Sequence, residues 1–334
     1  MKLFEKKKNV QFFGLNKEGV VLQYIDHLDV NNSSIKIEVS DEFSVWNGIL
    51  YLKRNKNRYM YASGSFVPCI QGRFGQCTLG SMTDSYYKNN NIYHFSVFHD
   101  GVEYIIKLES RDVISLEYKF VGMKEDVMIF EINLDKGLLF CSKTGERLWE
   151  YKTENSDWKI NRMCIPMVDD VVVIISTSNP TSNYRIRIEG FNIHTGERLW
   201  INNHKNITNH YFIGPDKMLY TCQHDWLDMK NDIMQLVLYK LNPFTGETET
   251  TQLKVDDDRG GVCPWNTCIY GNKLYYADNH PGCILGVVDL DKKQIVEEFS
   301  LNLKKGFRMG APVVTEDKIY QFIRNKKEVW VFDK

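Results

Sequence analysis

Two cysteines and a histidine in the last quarter of the chain are the residues best suited to bind a metal. Cys263, His280 and Cys283 offer the thiolate and imidazole ligands that zinc prefers. Cys268 lies in the same segment, but an extended strand would hold it about 16 Å from Cys263. Because the spacing matches no zinc signature, buried thiols are the alternative interpretation.

No motif of a known catalytic site occurs in the chain. The sequence contains no GxSxG nucleophile elbow, P-loop, HExxH or GxGxxG. We therefore assign no catalytic residue and expect no cofactor. An enzyme or small-ligand protein that uses a central channel, with a metal at Cys263, His280 and Cys283, is the alternative.

Aromatic and basic residues are frequent in the segments between the expected strands. Such residues are the usual anchors of protein interfaces, and packing beneath the loops is the competing explanation. The predicted partner-binding residues are Arg73, Phe74, Trp158, Lys159, Arg162, Trp226, Trp265, Phe307 and Arg308. Glycan binding by the same aromatic residues is a third possibility.

The overall charge argues against a polyanionic partner. The 334 residues carry a formal net charge of −1, so no global field favours nucleic acid or an anionic membrane. The run Lys6-Lys7-Lys8 is interpreted as a solvated terminus. No apolar segment has the length of a signal peptide core or a membrane span, so we expect a cytosolic protein whose eight cysteines are thiols.

The elements that position these residues are indicated by a repeat. The motif TGERLW occurs at residues 144–149 and again 51 residues later at 195–200, and the weaker copy TGET follows at 245–248. Turns rich in Gly, Asn and Asp, each followed by an apolar run of β type, recur with a mean spacing of 45 residues. The seven apolar runs begin at Ile49, Ile92, Val127, Val171, Met218, Leu274 and Ile319.

Repeats of this length, each read as four short strands, are typical of a β-propeller. We predict an all-β fold with seven four-stranded antiparallel blades in one domain, residues 1–334. Residues 1–33 should supply the strand that completes the last blade and closes the ring, either residues 10–15 or residues 20–25. Gly145, Gly196 and Gly246 should adopt positive φ in the turns, while Trp149 and Trp200 should wedge between neighbouring blades.

The repeat resembles that of the quinoprotein-like β-propellers, which have pyrroloquinoline-quinone-type repeats. The resemblance rests on CSKTGERLWEY at 141–151, NIHTGERLWIN at 192–202, and the weaker LNPFTGETE at 241–249 and VDLDKKQIVEEF at 288–299. It covers residues 130–334 well and is faint before them. The enzymes of that family are secreted alcohol or sugar dehydrogenases with quinone and calcium. This chain lacks their vicinal Cys-Cys pair and length, so it resembles the non-enzymatic propellers, and we expect no quinone.

These observations together predict a non-catalytic, cytosolic propeller with a protein as partner. Both kinds of tight turn should lie on one face, which leaves the longer loops and the predicted partner-binding residues on the other. An inhibitor or immunity-type protein that neutralises a toxin, and a scaffold of WD-like type, are two forms that this function could take.

Overall fold

The computed structural model of the chain is built almost wholly of β-strands. It describes residues 1–16, 19–25, 27–30, 33–38, 41–46, 49–54, 57–62, 65–68, 83–89, 92–99, 102–109, 119–132, 136–142, 144–154, 157–161, 164–178, 185–204, 210–228, 233–255, 262–279, 282–303 and 306–334. Within these residues the helical elements are two short 3₁₀ turns, Pro264–Asn266 and Arg324–Lys326. The predicted all-β class is confirmed.

The strands form antiparallel sheets, which we number in chain order from the first complete sheet. Sheet 1 contains β2 (Phe12–Asn16), β3 (Gly19–Gln23), β4 (His27–Val30) and β5 (Ser33–Lys36). Sheet 2 contains β6 (Glu42–Trp46), β7 (Ile49–Arg54), β8 (Asn57–Ala62) and β9 (Ser65–Pro68). The described strands of sheet 3 are β10 (Thr83–Asn89), β11 (Ile92–His99) and β12 (Val102–Glu109).

The next three sheets repeat this order. Sheet 4 contains β13 (Lys119–Lys124), β14 (Val127–Ile132), β15 (Gly137–Ser142) and β16 (Arg147–Lys152). In sheet 5, β17 (Trp158–Ile160) and β18 (Met167–Val168) both pair with β19 (Val171–Ser178), which is followed by β20 (Arg185–Asn192) and β21 (Arg198–His204). Sheet 6 contains β22 (Phe212–Ile213), β23 (Leu219–Asp228), β24 (Ile233–Leu241) and β25 (Thr248–Leu253).

The last two sheets complete the series. Sheet 7 contains β26 (Thr267–Tyr270), β27 (Lys273–Asp278), β28 (Gly282–Asp289) and β29 (Gln294–Leu303). Sheet 8 contains β30 (Val313–Val314), β31 (Lys318–Ile323), β32 (Glu328–Asp333) and β1 (Lys2–Lys7). The described residues therefore form eight sheets, and the predicted count of seven blades was wrong.

The additional sheet is sheet 1, which contains the two segments, residues 10–15 and 20–25, that were the predicted candidates for the closing strand. Its strands have only four or five residues. The start of β3 precedes the start of β7 by 30 residues. The predicted copies have a mean spacing of 45 residues, so this more closely spaced sheet was not predicted as one of them.

An N-terminal strand lies in the last sheet, but it is neither of the two predicted segments. β1 pairs with β32, so that Lys2 is opposite Asp333 and Lys7 is opposite Val329. The two predicted segments, residues 10–15 and 20–25, instead contribute to β2 and β3 of sheet 1. The sequence of β1, KLFEKK, is mostly charged and exposed. It was missed because an outer edge strand has no need of an apolar run.

Successive sheets pack face to face through separate apolar clusters. Six such clusters join sheets 4 and 5, 5 and 6, 6 and 7, 7 and 8, 8 and 1, and 1 and 2. In one of them, buried Val172 and Ile174 of β19 meet Val127 and Ile129 of β14. This series runs through the chain ends without interruption from sheet 4 to sheet 2, as stacked propeller blades do.

Trp200 of β21 joins sheet 5 to sheet 6. Its indole Nε1 donates a hydrogen bond to the carbonyl of Pro243, 2.7 Å away in the turn of sheet 6. The ring lies so close to Gly246 that a Cβ at this position would be 2.5 Å from it, and a Cβ at Gly190 would be 2.3 Å from its other side. The indole is therefore held between two glycines.

Trp149 of β16 joins sheet 4 to sheet 5 in the same way. Its Nε1 donates to the carbonyl of Ile193 at 2.8 Å, and a Cβ at Gly196 would lie 2.6 Å from the ring. On the opposite side the indole stacks on Phe140 with a centroid distance of 3.7 Å. Gly196 and Gly246 also have φ of 73° and 76°, which other L-residues rarely adopt. Gly145, in the first copy of the motif, has φ of 91°.

The junction of sheets 6 and 7 lacks both partners of this contact. Thr250 occupies the position that corresponds to Trp200, and Lys293, with φ of 52°, occupies the position that corresponds to Gly246. An ion pair between Lys293 and Glu249 links the two sheets there instead. At this junction the tryptophan and the glycine are therefore both absent.

Strand register places both kinds of tight turn at the same end of each sheet, as predicted. In sheet 5, Val168 pairs with Val171, Val171 with Asn192, and Phe191 with Arg198. We call this the tight-turn end. The opposite end, where β19 leads to β20 and β21 leads to sheet 6, is the long-loop end.

Replacing Trp200 with alanine should lower the free energy of unfolding by about 3 kcal/mol, because it empties the space between Gly190 and Gly246. Urea denaturation followed by tryptophan fluorescence and circular dichroism measures this loss. Leu199→Ala is the matched control, because the neighbouring leucine is 44% exposed and should contribute less than about 1 kcal/mol. Equal losses in the two variants would contradict the role of the indole.

Candidate functional site

Trp265 is the most accessible of the predicted partner-binding aromatic residues that the structure describes. Its side chain is 62% exposed, although it lies in a 3₁₀ turn whose other members, Pro264 and Asn266, are buried. The hydroxyl of Thr267 donates to the Pro264 carbonyl at 2.7 Å, and the Asn266 amide donates to the Cys263 carbonyl at 2.9 Å. Because proline fixes φ at the start of the turn, the indole is held outward by a rigid backbone.

The segment that leads into this turn is tied to sheet 6. The amide of His224, in β23, donates to the carbonyl of Val262 at 3.1 Å, and the amide of Val262 donates to His224 Nδ1 at 3.1 Å. A ring nitrogen that accepts a hydrogen bond carries no proton, so the Nδ1 of His224 is unprotonated. The 3₁₀ turn also contacts β23 and β27, which places Trp265 at the junction of sheets 6 and 7.

Phe307 and Arg308 occupy the corresponding position between sheets 7 and 8. The side-chain amide of Asn279 binds the backbone of Met309, accepting from its N–H at 2.6 Å. The Arg308 amide donates to Asn325 Oδ1 at 3.2 Å, and its carbonyl accepts from Arg324 N at 2.9 Å. Phe307 is half-buried and Arg308 is exposed.

Trp158 and Lys159 lie at the long-loop end of sheet 5, in β17. The Arg187 guanidinium lies 4.4 Å from the centroid of the half-buried Trp158 ring and forms an ion pair with Glu154 at 2.9 Å. Lys136 Nζ donates to the Trp158 carbonyl at 2.9 Å. The Trp158 ring therefore packs against Arg187 of its own sheet, whereas Lys159 is exposed.

The other predicted partner-binding residues can be placed only in part. Arg73, Phe74 and Arg162 lie outside the described residues. The backbone of Trp226 lies in β23, opposite Met234. Of the set, the structure places Trp158, Lys159, Trp265, Phe307 and Arg308 at the same end of successive sheets, from sheet 5 to sheet 8.

The metal hypothesis concerns Cys263 and Cys283, since His280 lies outside the described residues. Burial, and after it the negative charge of Asp278, raises the pKa of both thiols. In the part of the chain that the structure describes, His, Cys, Asp and Glu side chains form no group of three that could hold a metal ion. A site that includes His280 stays a prediction.

A cluster of basic residues at the long-loop end of sheet 8 was not predicted. We define the basic patch as Lys6, Lys7, Lys8, Arg308, Arg324, Lys326 and Lys327. In the sequence these residues appear as three separate short segments, and the lysines at the N-terminus were interpreted as a solvated tail. Pairing of β1 with β32 brings the segments together.

Comparisons with known proteins show similarity at the level of structure only. No protein-family model matches the chain, and no curated protein matches it. Similar solved structures include the Cps50 (Swd1) β-propeller domain of Myceliophteria thermophila, with a TM-score of 0.49, 9% identity, and coverage of 100% of this chain and 99% of that chain. The hydrazine synthase of Kuenenia stuttgartiensis has a TM-score of 0.49 and 10% identity, with coverage of 98% of this chain and 96% of that chain. Sqt1 of Saccharomyces cerevisiae has a TM-score of 0.48 and 12% identity, with coverage of 100% of this chain and 98% of that chain.

Similarities this distant assign neither a family nor a function. The resemblance of the TGERLW repeats to the quinoprotein-like family therefore stays a prediction. Among the described residues, no helix has the length and apolar character needed to span a membrane.

Cys164 should react slowly with iodoacetamide in the folded protein. Burial raises its pKa from 9.0 to about 11, so its thiolate fraction at pH 7.5 is about a hundredfold lower than in the unfolded chain. Its alkylation rate should rise about tenfold per pH unit from pH 7 to pH 9 without a plateau.

Peptide mapping by mass spectrometry measures this rate, with the chain unfolded in urea as the control. Alkylation of Cys164 at the same rate in the folded and the unfolded chain would contradict the expected protection.

Proposed function

We propose that this chain is a non-catalytic β-propeller that binds a partner protein at its long-loop end, with Trp265 as the anchor. An immunity-type inhibitor that masks a toxin or an enzyme is one form of this function, and a scaffold is another. The exposed indole of Trp265 on an otherwise buried turn is the observation that carries the proposal.

An exposed tryptophan on a fixed backbone is suited to be a binding hot spot. Interface hot spots are enriched in tryptophan and arginine, and covering a large aromatic surface contributes several kcal/mol. Rigid presentation reduces the entropy lost on binding. Trp265 is 62% exposed, and the hydrogen bonds of Val262, Asn266 and Thr267 hold its backbone.

Trp265 also differs from Phe244, an exposed aromatic residue of the tight-turn end. Phe244, 39% exposed, lies in the turn that receives Trp200, so its position is explained by blade packing. Trp265 has no such role, because the turn around it is packed by Pro264 and Asn266. The long-loop end is therefore the better candidate for a partner.

A cytosolic location is part of the proposal. Six cysteines among the described residues are free thiols: Cys141, Cys164, Cys222, Cys263, Cys268 and Cys283. Unpaired cysteines in this number are compatible with a reducing compartment.

Trp265→Ala should weaken partner binding by about thirtyfold, because losing a hot-spot tryptophan costs about 2 kcal/mol or more. The measurement is quantitative mass spectrometry of proteins that co-purify with the tagged chain from its native host. Folding of the variant is verified by its thermal midpoint.

Phe244→Ala is the matched control, since it removes an exposed aromatic ring from the tight-turn end. The proposal predicts unchanged recovery with this variant. Recovery of the same partners by Trp265→Ala, or loss of them by Phe244→Ala alone, would refute the assignment of the long-loop end.

A further inference from the structure

The basic patch is assembled by residues that are far apart in the sequence. In the register of β1 and β32, Lys6 is opposite Trp330 and Lys7 is opposite Val329. The turn Arg324–Lys326 directly precedes β32, and its first amide is bound to the carbonyl of Arg308. Six of the seven basic side chains are exposed, and Lys7 is half-buried.

Two aromatic rings hold the lysine ammonium groups in place. Lys6 Nζ lies 3.5 Å from the centroid of Trp330. Lys326 Nζ lies 5.8 Å from the same ring and 5.1 Å from the ring of Phe307. Trp330 is only 5% exposed, and its Nε1 donates to Glu328 at 2.8 Å, so it forms a fixed base beneath the charges.

The patch concentrates positive charge on a molecule that is nearly neutral as a whole. The segments 5–8, 306–308 and 324–328 contain the seven basic residues and two acidic ones, Glu5 and Glu328, a balance of +5. Because the whole chain carries −1, all other residues together carry −6. Within the described part of the chain, the patch contains one salt bridge, between Lys7 and Glu5 at 3.5 Å.

This arrangement leaves like charges in mutual repulsion. The Nζ atoms of Lys6 and Lys326 lie 3.5 Å and 5.8 Å from the centroid of the same Trp330 ring, so these two charges are within about one Debye length, roughly 10 Å at 0.1 M salt. Repulsion of this kind destabilises the folded chain, and an anionic ligand would relieve it. The patch is therefore poised to bind an anion.

We propose that the basic patch binds a short acidic segment of a partner protein. This inference deepens the proposed function, because the patch lies at the same long-loop end, and it relies on that function only for the partner being a protein. Arg308 belongs both to the basic patch and to the predicted partner-binding residues. The patch therefore adjoins the loop that carries Phe307.

The structure favours an acidic peptide over nucleic acid. Proteins that bind single strands stack bases on exposed aromatic rings, but Lys6 and Lys326 cover Trp330, and Lys326 covers the half-buried Phe307. A long polyanion or an anionic membrane would also extend beyond the patch over residues whose charges sum to −6. A segment no longer than the patch avoids that repulsion.

The test measures the fluorescence anisotropy of fluorescein-labelled deca-glutamate with the full chain in about 50 mM salt, where electrostatic attraction is weakly screened. Arg308→Glu combined with Lys326→Glu should weaken binding at least about tenfold, and Arg308→Gln with Lys326→Gln should give a smaller loss. Lys273→Glu with Lys292→Glu is the matched control, since it reverses two exposed charges at the tight-turn end and should change the affinity less than about twofold.

A ten-nucleotide single-stranded RNA and deca-glutamine complete the comparison. The proposal predicts binding of deca-glutamate that weakens as salt is added, no binding of deca-glutamine, and weaker binding of the RNA. Failure of deca-glutamate to bind, an equal loss in the control pair, or tighter binding of the RNA would overturn it. Trp265→Ala should leave deca-glutamate binding unchanged. Failure of the basic patch to bind deca-glutamate can therefore be distinguished from failure of Trp265 to anchor the partner.

Discussion

The contact of a tryptophan in one sheet with a glycine in the turn of the next sheet determines how sheets 4, 5 and 6 stack. Trp149 rests on Gly196 and Trp200 rests on Gly246, at distances that leave no space for a Cβ. Each indole also donates a hydrogen bond to a carbonyl of the turn that it contacts. These contacts fix the tight-turn end of sheets 4 to 6, since neither the ring nor the glycine can change without disturbing both sheets.

Fixing one end of the sheets leaves the other end available for function. There the loops are held by side chains that bind backbone groups, as His224 binds Val262 and Asn279 binds Met309. Loops on a rigid scaffold commonly carry binding residues. Trp265 and Arg308 are exposed just beyond these anchors, so the same pattern explains why both are presented outward on an ordered backbone.

The sequence indicated the fold more completely than the site. The recurrence of TGERLW reveals the blade junctions, because a steric requirement for glycine leaves a visible pattern. Two strands of sheet 1 were predicted, at residues 10–15 and 20–25, but they were assigned to the last blade because they lie closer to the next sheet than the mean spacing of 45 residues. Strand β1 was missed because it is charged. The basic patch depends on pairing between residues more than 300 positions apart, such as Lys6 and Trp330, and no local pattern records such pairing.

Site-specific photo-crosslinking is the most direct test of the central claim, that partners bind the long-loop end of a stack fixed at its tight-turn end. A benzophenone amino acid is placed at position 265 in one variant and at position 244 in another, and each is irradiated in the native host. A discrete crosslinked protein at position 265, absent at position 244, is the predicted result. Crosslinks at position 244 alone would contradict the account.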